Sequence, residues 1–111
     1  MAVDMQKMTL AGTLAAGLMY ISVGAYAAEV EVGQKNKEFT QSSVTINVGD
    51  SVKFTNNDDF FHNVFSLSDA KFFDLGSYPK GESKSVTFDQ AGTVEVECAI
   101  HPNMKMVVEV Q

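Results

Sequence analysis

The stretch TVEVECAIHPNMKMVVEV, residues 93–110, combines a β-strand pattern with an unusual group of side chains. Valine and glutamate alternate in its first half, which predicts a strand with one buried and one solvated face. Cys98 continues the row of Val94 and Val96, so we expect its thiol to point inward at the end of that strand. MVVEV is a second alternating run, and the residues between the two runs are predicted to form a loop.

The same period of two residues continues through most of the chain after residue 27. Seven short runs rich in β-branched and aromatic residues are separated by turn residues: AEVEV, SVTINV, SVKFTN, NVFSL, KSVTF, TVEVE and MVVEV. Residues 68–83 are less regular, and a long connection containing a short strand or a turn of helix is predicted there. The pattern favours an all-β fold, a Greek-key antiparallel β-sandwich of about seven to eight strands.

The amino-terminal region has a different character. An uncharged apolar run occupies residues 8–27 and ends in AYA, a small-x-small sequence typical of signal peptidase sites. We therefore expect residues 1–27 to be a helical signal peptide and residues 28–111 to be one domain. The domain would be exported to the periplasm or to another oxidising compartment outside the cytoplasm. An uncleaved membrane anchor is the alternative, because about 20 apolar residues can cross a bilayer.

The charge of the chain limits its partners. Lysine and arginine together number 8 against 14 acidic residues, so the formal net charge is −6. Such a surface disfavours nucleic acid and anionic lipid headgroups, and no membrane association is expected once the leader is removed. A cationic protein partner would be attracted instead. Glu95, Glu97, Asp58 and Asp59 are expected to form an ordinary solvated surface.

Cys98 is the only cysteine, and His62 and His101 are the only histidines. A single cysteine forms no intrachain disulfide, so outside the cytosol its thiol is buried, paired with another chain or bound to a metal. A buried structural thiol is the ordinary interpretation. However, His101 follows three residues after Cys98 and Met104 three residues later, which indicates a metal site. Zinc sites do not use methionine, whereas two histidines, one cysteine and a weak axial methionine are typical of blue-copper sites.

The remaining histidine and the second methionine complete the predicted site. His62 follows a polar turn and begins the strand NVFSL, so we expect it to meet the Cys98 loop at one end of the sandwich. Met106 is the alternative axial ligand, eight residues after Cys98. We predict Met104, because Lys105 then starts a well-alternating final strand and Met106 packs in the core. One copper ion per chain is expected.

Two segments resemble the small cupredoxins, a family of type I (blue) copper proteins. VTINVGDSVKFTNNDDFFHNVFS, residues 44–66, is similar to the family's segment around its first histidine ligand. SVTFDQAGTVEVECAIHPNMKMVVEV, residues 85–110, is similar to its carboxy-terminal ligand segment. The resemblance is greatest to the amicyanin and pseudoazurin branch, with plastocyanin more distant. It implies an eight-stranded copper sandwich that shuttles electrons between larger redox proteins.

Position by position, the resemblance implies that His62 and His101 are imidazole ligands, Cys98 the thiolate and Met104 the axial thioether. The protein is then expected to be an exported, monomeric single-electron carrier without enzymatic activity. Its donor and acceptor would be redox proteins, with a cationic partner such as a cytochrome c or a dehydrogenase favoured. A periplasmic copper-binding or copper-delivery protein is the alternative. Multicopper enzymes need further histidines and a CuA-type centre needs a second cysteine, and the sequence has neither.

The resemblance also extends to the residues beside the ligands. Asn63 matches the asparagine that braces the ligand loops by hydrogen bonds, and Pro102 matches the proline after the second histidine in the amicyanin-like proteins. Ile100 and Phe61 stand where many relatives have proline, and Phe54 where tryptophan is common. These departures leave the reduction potential and the preferred partner open.

Two further expectations concern the surroundings of the copper. The ring of His101 should be the exposed edge through which electrons leave, inside a small apolar patch. Phe54, Phe61 and Phe65 should be packed aromatic residues that hold the ligands in place.

Overall fold

The computed structural model describes residues 26–111, so nearly all of the predicted helical signal peptide lies outside the described residues. The described part of the chain forms nine strands and no helix. The strands are β1 (Glu29–Lys35), β2 (Glu38–Phe39), β3 (Ser43–Ile46), β4 (Ser51–Asn56), β5 (His62–Ser68), β6 (Lys71–Tyr78), β7 (Ser83–Thr87), β8 (Gly92–Cys98) and β9 (His101–Val110). Among residues 26–111, no helix is long and apolar enough to span a membrane.

The strands form two sheets with the orders β2-β1-β4-β7 and β3-β9-β8-β5-β6. Several neighbouring strands are distant in sequence, as Greek-key connections require. Pairing is antiparallel except between β1 and β4 and between β3 and β9, which run parallel. The predicted all-β sandwich is therefore confirmed. The two parallel contacts are not visible in the sequence, because side chains alternate with the same period in both kinds of pair.

Two strands are additional to the seven runs seen in the sequence. β2 has two residues and pairs with β1. β6 occupies eight residues of the segment predicted as a long connection and forms a hairpin with β5, so that prediction is wrong in extent. Phe73 of β6 packs against the core, whereas its neighbour Phe72 is 70% exposed. An exposed aromatic residue beside a packed one hides the alternation, and the sequence therefore indicates only a short strand here.

The hydrophobic core lies between the two sheets. Along β8, Val94, Val96 and Cys98 are buried and Glu95 is exposed, which confirms the predicted faces of this strand. The other buried hydrophobic residues are Val32, Phe39, Ile46, Val52, Phe54, Val64, Tyr78, Val86, Phe88, Met104, Met106, Val108 and Val110.

The connection between β8 and β9 is shorter than predicted. β9 begins at His101, which lies opposite Cys98, and not at Lys105. Regular pairing continues from Lys105, opposite Glu97, so residues 102–104 form a bulge in β9. A bulge interrupts the alternation without ending the strand. This explains why the pattern places the strand's start too late in the sequence.

Candidate metal centre

Strand pairing brings the cysteine and both histidines to one end of the five-stranded sheet. His62 is the first residue of β5, Cys98 the last of β8 and His101 the first of β9. Because β5 and β9 both pair antiparallel with β8, these three strand ends lie side by side. One nitrogen or sulfur atom from each residue lies within 4.8 Å of the others. The structure thus brings together the thiol and both imidazoles named from the sequence.

Both imidazole rings direct Nδ1 toward the sulfur atom. Cys98 Sγ lies 3.6 Å from His62 Nδ1 and 3.7 Å from His101 Nδ1. Donor atoms that bind one ion at about 2.0–2.3 Å are roughly 3–4 Å apart, so these spacings suit a shared metal. A thiolate together with two imidazoles is a donor set that suits copper in both of its oxidation states.

The three side chains differ in their exposure to solvent. His62 and Cys98 are buried, whereas His101 is half-buried and is followed by the exposed Pro102. Burial lowers the pKa of His101, and the neighbouring His62 and Lys37 lower it further. A lowered pKa favours the neutral ring, which is the form that binds a metal. Of the three residues, His101 is the one most exposed to solvent.

Asn63 connects the two segments that carry the ligands. Its backbone N–H donates to Cys98 Sγ at 3.5 Å, and its carbonyl oxygen accepts from the N–H of Ala99 at 3.1 Å. These backbone contacts tie the start of β5 to the end of β8. The side-chain oxygen of Asn63 is buried without a hydrogen-bond partner among the described residues. The link between the segments thus runs through the backbone of this residue.

Asp58 is a part of the site that the sequence did not reveal. It is 3% exposed, and its Oδ2 atom lies 2.7 Å from His62 Nε2. Burial raises the pKa of Asp58, but hydrogen bonds from His62 and from the backbone N–H groups of Lys37 and Asn36 outweigh it and lower the pKa. The expectation that Asp58 is solvated is therefore wrong, whereas its neighbour Asp59 is exposed as expected.

Aromatic packing at the site also differs from the expectation. Phe60, and not Phe61, contacts both imidazoles: its ring centroid lies 5.3 Å from that of His62 and 5.4 Å from that of His101. Phe61 is 53% exposed, so its predicted packing role is wrong. Phe54 is buried as predicted. In the sequence, the two adjacent phenylalanines before His62 give no sign of which one points inward.

Exposed apolar side chains lie along the segments that carry the histidines. Phe60 is 39% exposed, Phe61 53% and Ile100 55%, and Pro102 is exposed as well. The ring of Phe60 lies next to that of His101, and Ile100 directly precedes His101 in the sequence. We call Phe60, Phe61, Ile100 and Pro102 the apolar rim.

The two candidate methionines occupy different positions in β9. Met104 lies in the bulge, and Met106 lies opposite Val96 in the regular ladder. Both side chains are buried, with 1% and 2% exposure. Both methionines therefore belong to the hydrophobic core, and they differ in their position along β9 relative to His101.

A Greek-key β-sandwich with a thiol and two imidazoles at one end defines a cupredoxin-type copper domain. The sequence profile of copper-binding proteins of the plastocyanin/azurin family matches residues 26–111. The chain belongs to this family, which confirms the resemblance seen in the sequence. Copper is accordingly its metal, in agreement with the donor set.

Two characterised relatives cover nearly the whole chain. The methylamine utilization protein MauL of Methylorubrum extorquens is 31% identical over 99 residues, which cover 88% of this chain and 87% of MauL. The chloroplastic plastocyanin of Tetradesmus obliquus is 32% identical in an alignment of length 119 that covers 96% of this chain and 81% of that protein.

Solved structures of copper proteins also superpose on this chain. A reduced amicyanin variant superposes with a TM-score of 0.69 at 26% identity, covering 80% of this chain and 86% of amicyanin. The copper-containing nitrite reductase of Thermus scotoductus SA-01 gives a TM-score of 0.70 at 28% identity and 80% coverage of this chain. This chain spans only 24% of that enzyme, so the similarity concerns one domain of it.

Proposed function

We propose that this chain is a type I copper protein that carries single electrons between larger redox proteins outside the cytoplasm. The observation that carries the proposal is the group formed by His62, Cys98 and His101, whose donor atoms lie within 4.8 Å of one another at one end of the sandwich. Bound copper would supply the one-electron change. As a small member of its family the chain is a carrier and not an enzyme.

The thiolate of Cys98 and the two imidazoles would be the strong ligands, and a methionine the weak axial ligand. Met104 is the better candidate, because it lies in the bulge that follows His101. Met106 faces Val96 in the regular ladder and contributes to the core. Strand pairing and hydrogen bonds fix the positions of the strong ligands, so little movement is needed when the oxidation state changes.

Electrons would enter and leave through His101. It is the half-buried ligand, whereas His62 and Cys98 are buried. The apolar rim offers a small surface that a partner can desolvate, and a small interface suits a short-lived electron-transfer complex. The net charge of −6 favours a cationic partner, such as a cytochrome c or a dehydrogenase. A monomer is sufficient for this role.

Location and processing complete the proposal. We propose that residues 1–27 are a signal peptide and that residues 28–111 are the exported domain, in the periplasm or an equivalent oxidising compartment. The AYA sequence at residues 25–27 supports cleavage there. The backbone nitrogen of Ala28 donates to Asp50 at 2.9 Å, so the first residue after the cleavage site is already held by the fold.

A kinetic experiment separates the carrier from the copper-delivery alternative. The copper-loaded protein would be mixed in a stopped-flow instrument with reduced cytochrome c, and separately with a strong Cu(I) chelator after reduction. A carrier exchanges electrons with the cytochrome in milliseconds to seconds and loses copper to the chelator far more slowly. Rapid copper loss together with slow electron exchange would establish delivery instead.

A further inference from the structure

We propose that Asp58 is a positioning residue for His62 and holds its ring in the tautomer that leaves Nδ1 free to bind copper. This inference rests on the proposed function, in which His62 is a copper ligand. Asp58 Oδ2 lies 2.7 Å from His62 Nε2, and the two side chains are 5% and 0% exposed. A short, buried contact of this kind fixes a ring far more firmly than a solvated ion pair does.

The chemistry of the two groups determines the tautomer. An ionised carboxylate only accepts hydrogen bonds, so the contact with Asp58 requires a proton on His62 Nε2. A neutral imidazole carries one ring proton, and Nδ1 then keeps its lone pair. That Nδ1 faces Cys98 Sγ at 3.6 Å. The carboxylate also makes the imidazole a stronger electron donor, which stabilises a bound cation.

The carboxylate of Asp58 is itself held in place. Its Oδ1 atom accepts from the N–H of Asn36 at 2.7 Å, and Oδ2 accepts from the N–H of Lys37 at 3.1 Å as well as from His62. Asn36 and Lys37 have φ angles of 57° and 60° and form the two-residue turn between β1 and β2. This turn belongs to the four-stranded sheet, so Asp58 links a ligand on one sheet to the other sheet.

The first test uses the protein without copper. Because the chain has two histidines, labelling them with ¹⁵N gives a spectrum in which each ring can be assigned. At a pH where both rings are neutral, we expect His62 to carry its proton on Nε2. Asp58→Asn should produce a mixture of both tautomers, because the amide can donate to Nε2. Asp59→Asn removes the same charge from an exposed neighbour and should leave the spectrum unchanged.

The second test measures copper. Loss of a carboxylate that orients a histidine ligand costs about 10–100-fold in metal affinity. If Asp58→Asn weakens Cu(II) binding tenfold and spares Cu(I), the reduction potential rises by about 59 mV. Asp59→Asn should shift it much less. Asp50→Asn removes another buried carboxylate that accepts from backbone N–H groups, away from the site, and should lower stability without changing the potential.

The outcomes separate this inference from the function itself. If the wild-type protein is blue and Asp58→Asn has the same His62 tautomer and reduction potential as Asp59→Asn, the proposed role of Asp58 is wrong. The proposed function as an electron carrier would still stand. A proton on Nδ1 in the wild-type apoprotein would also overturn the role of Asp58. If Asp58→Asn does not fold, Asp58→Glu is measured instead. It keeps a carboxylate, so we expect His62 to retain its proton on Nε2, and a change of tautomer would contradict the inference. A wild-type protein that forms no blue site contradicts the function, whatever the tautomer.

Discussion

Cys98 and His101 lie directly opposite each other across the turn between β8 and β9, with Sγ and Nδ1 3.7 Å apart. The two residues that separate them, Ala99 and Ile100, make a turn that leaves both side chains directed to one site. The ligand spacing in the sequence is therefore that of a tight hairpin. The copper site depends on strand register more than on the conformation of a long loop.

The two methionines can be separated by substitution. Met104→Leu removes the proposed axial thioether and should raise the reduction potential while keeping the site coloured, because a weaker axial donor disfavours Cu(II). Met106→Leu conserves volume in the core and should cost less than about 1.5 kcal/mol of the unfolding free energy. Its potential and spectrum should match those of the wild type. An electronic change that follows Met106 would show that the axial ligand has been assigned to the wrong residue.

Acid stability should depend on Asp50. Hydrogen bonds from the backbone N–H groups of Ala28 and Asn47 lower the pKa of Asp50. A lowered pKa in the folded state stabilises the fold above the unfolded pKa of about 3.9, and this contribution is lost as the pH falls through the folded value. Asp50→Asn should therefore lower the melting temperature at pH 7 and weaken its dependence on pH below about 4.

The control for Asp50 is Asp69→Asn, which removes the same charge from an exposed turn. Melting temperatures of both variants would be measured by circular dichroism from pH 7 downward. The control should follow the wild-type profile. Equal effects of both substitutions would mean that net charge, and not the contacts of Asp50, sets the acid stability.

The apolar rim should control electron exchange with protein partners. Ile100→Gln replaces an exposed apolar side chain next to His101 and should slow exchange with a redox protein by about fivefold, equivalent to about 1 kcal/mol. Absorption spectrum and potential should not change. Leu67→Gln is the matched control, since Leu67 is 67% exposed but lies in β5 away from its ligand-bearing end. If Leu67→Gln slows exchange and Ile100→Gln does not, the docking surface lies on the face that carries Leu67 and not at the apolar rim.

Processing can be read from the mass of the protein purified from its native source. Cleavage after Ala27 predicts a chain that begins at Ala28. The backbone nitrogen of Ala28 donates to the carboxylate of Asp50 at 2.9 Å. After cleavage this nitrogen would be an α-ammonium group facing that carboxylate. A protein of full length in the membrane fraction would establish the anchor instead.

The sequence was sufficient for features that depend on local pattern. Alternation predicted the inward row that ends at Cys98, and the small number of donor residues predicted which side chains would converge. Features that depend on tertiary contacts were not visible. Asp58 and Asp59 are adjacent and identical in type, yet one is buried against His62 and the other pairs with Lys80 at the surface. The two phenylalanines before His62 differ in the same way.

The bulge in β9 had a similar effect on the prediction. Its three residues break the alternation, so the pattern placed the start of the strand at Lys105 when pairing begins at His101. The convergence of Cys98, His62 and His101 was inferred from residue type and spacing, so the bulge did not affect it. The choice of Met104 over Met106 had used Lys105 as the start of the strand, and it stays a prediction.

The most direct test of the account is the visible and EPR spectrum of the purified protein with one equivalent of Cu(II). The account predicts an intense blue thiolate-to-copper absorption that disappears on reduction. Cys98→Ser should abolish this absorption and leave a folded sandwich, since the substitution changes one buried atom. A wild-type protein that stays colourless, and that keeps zinc in preference to copper when offered both, would contradict the account.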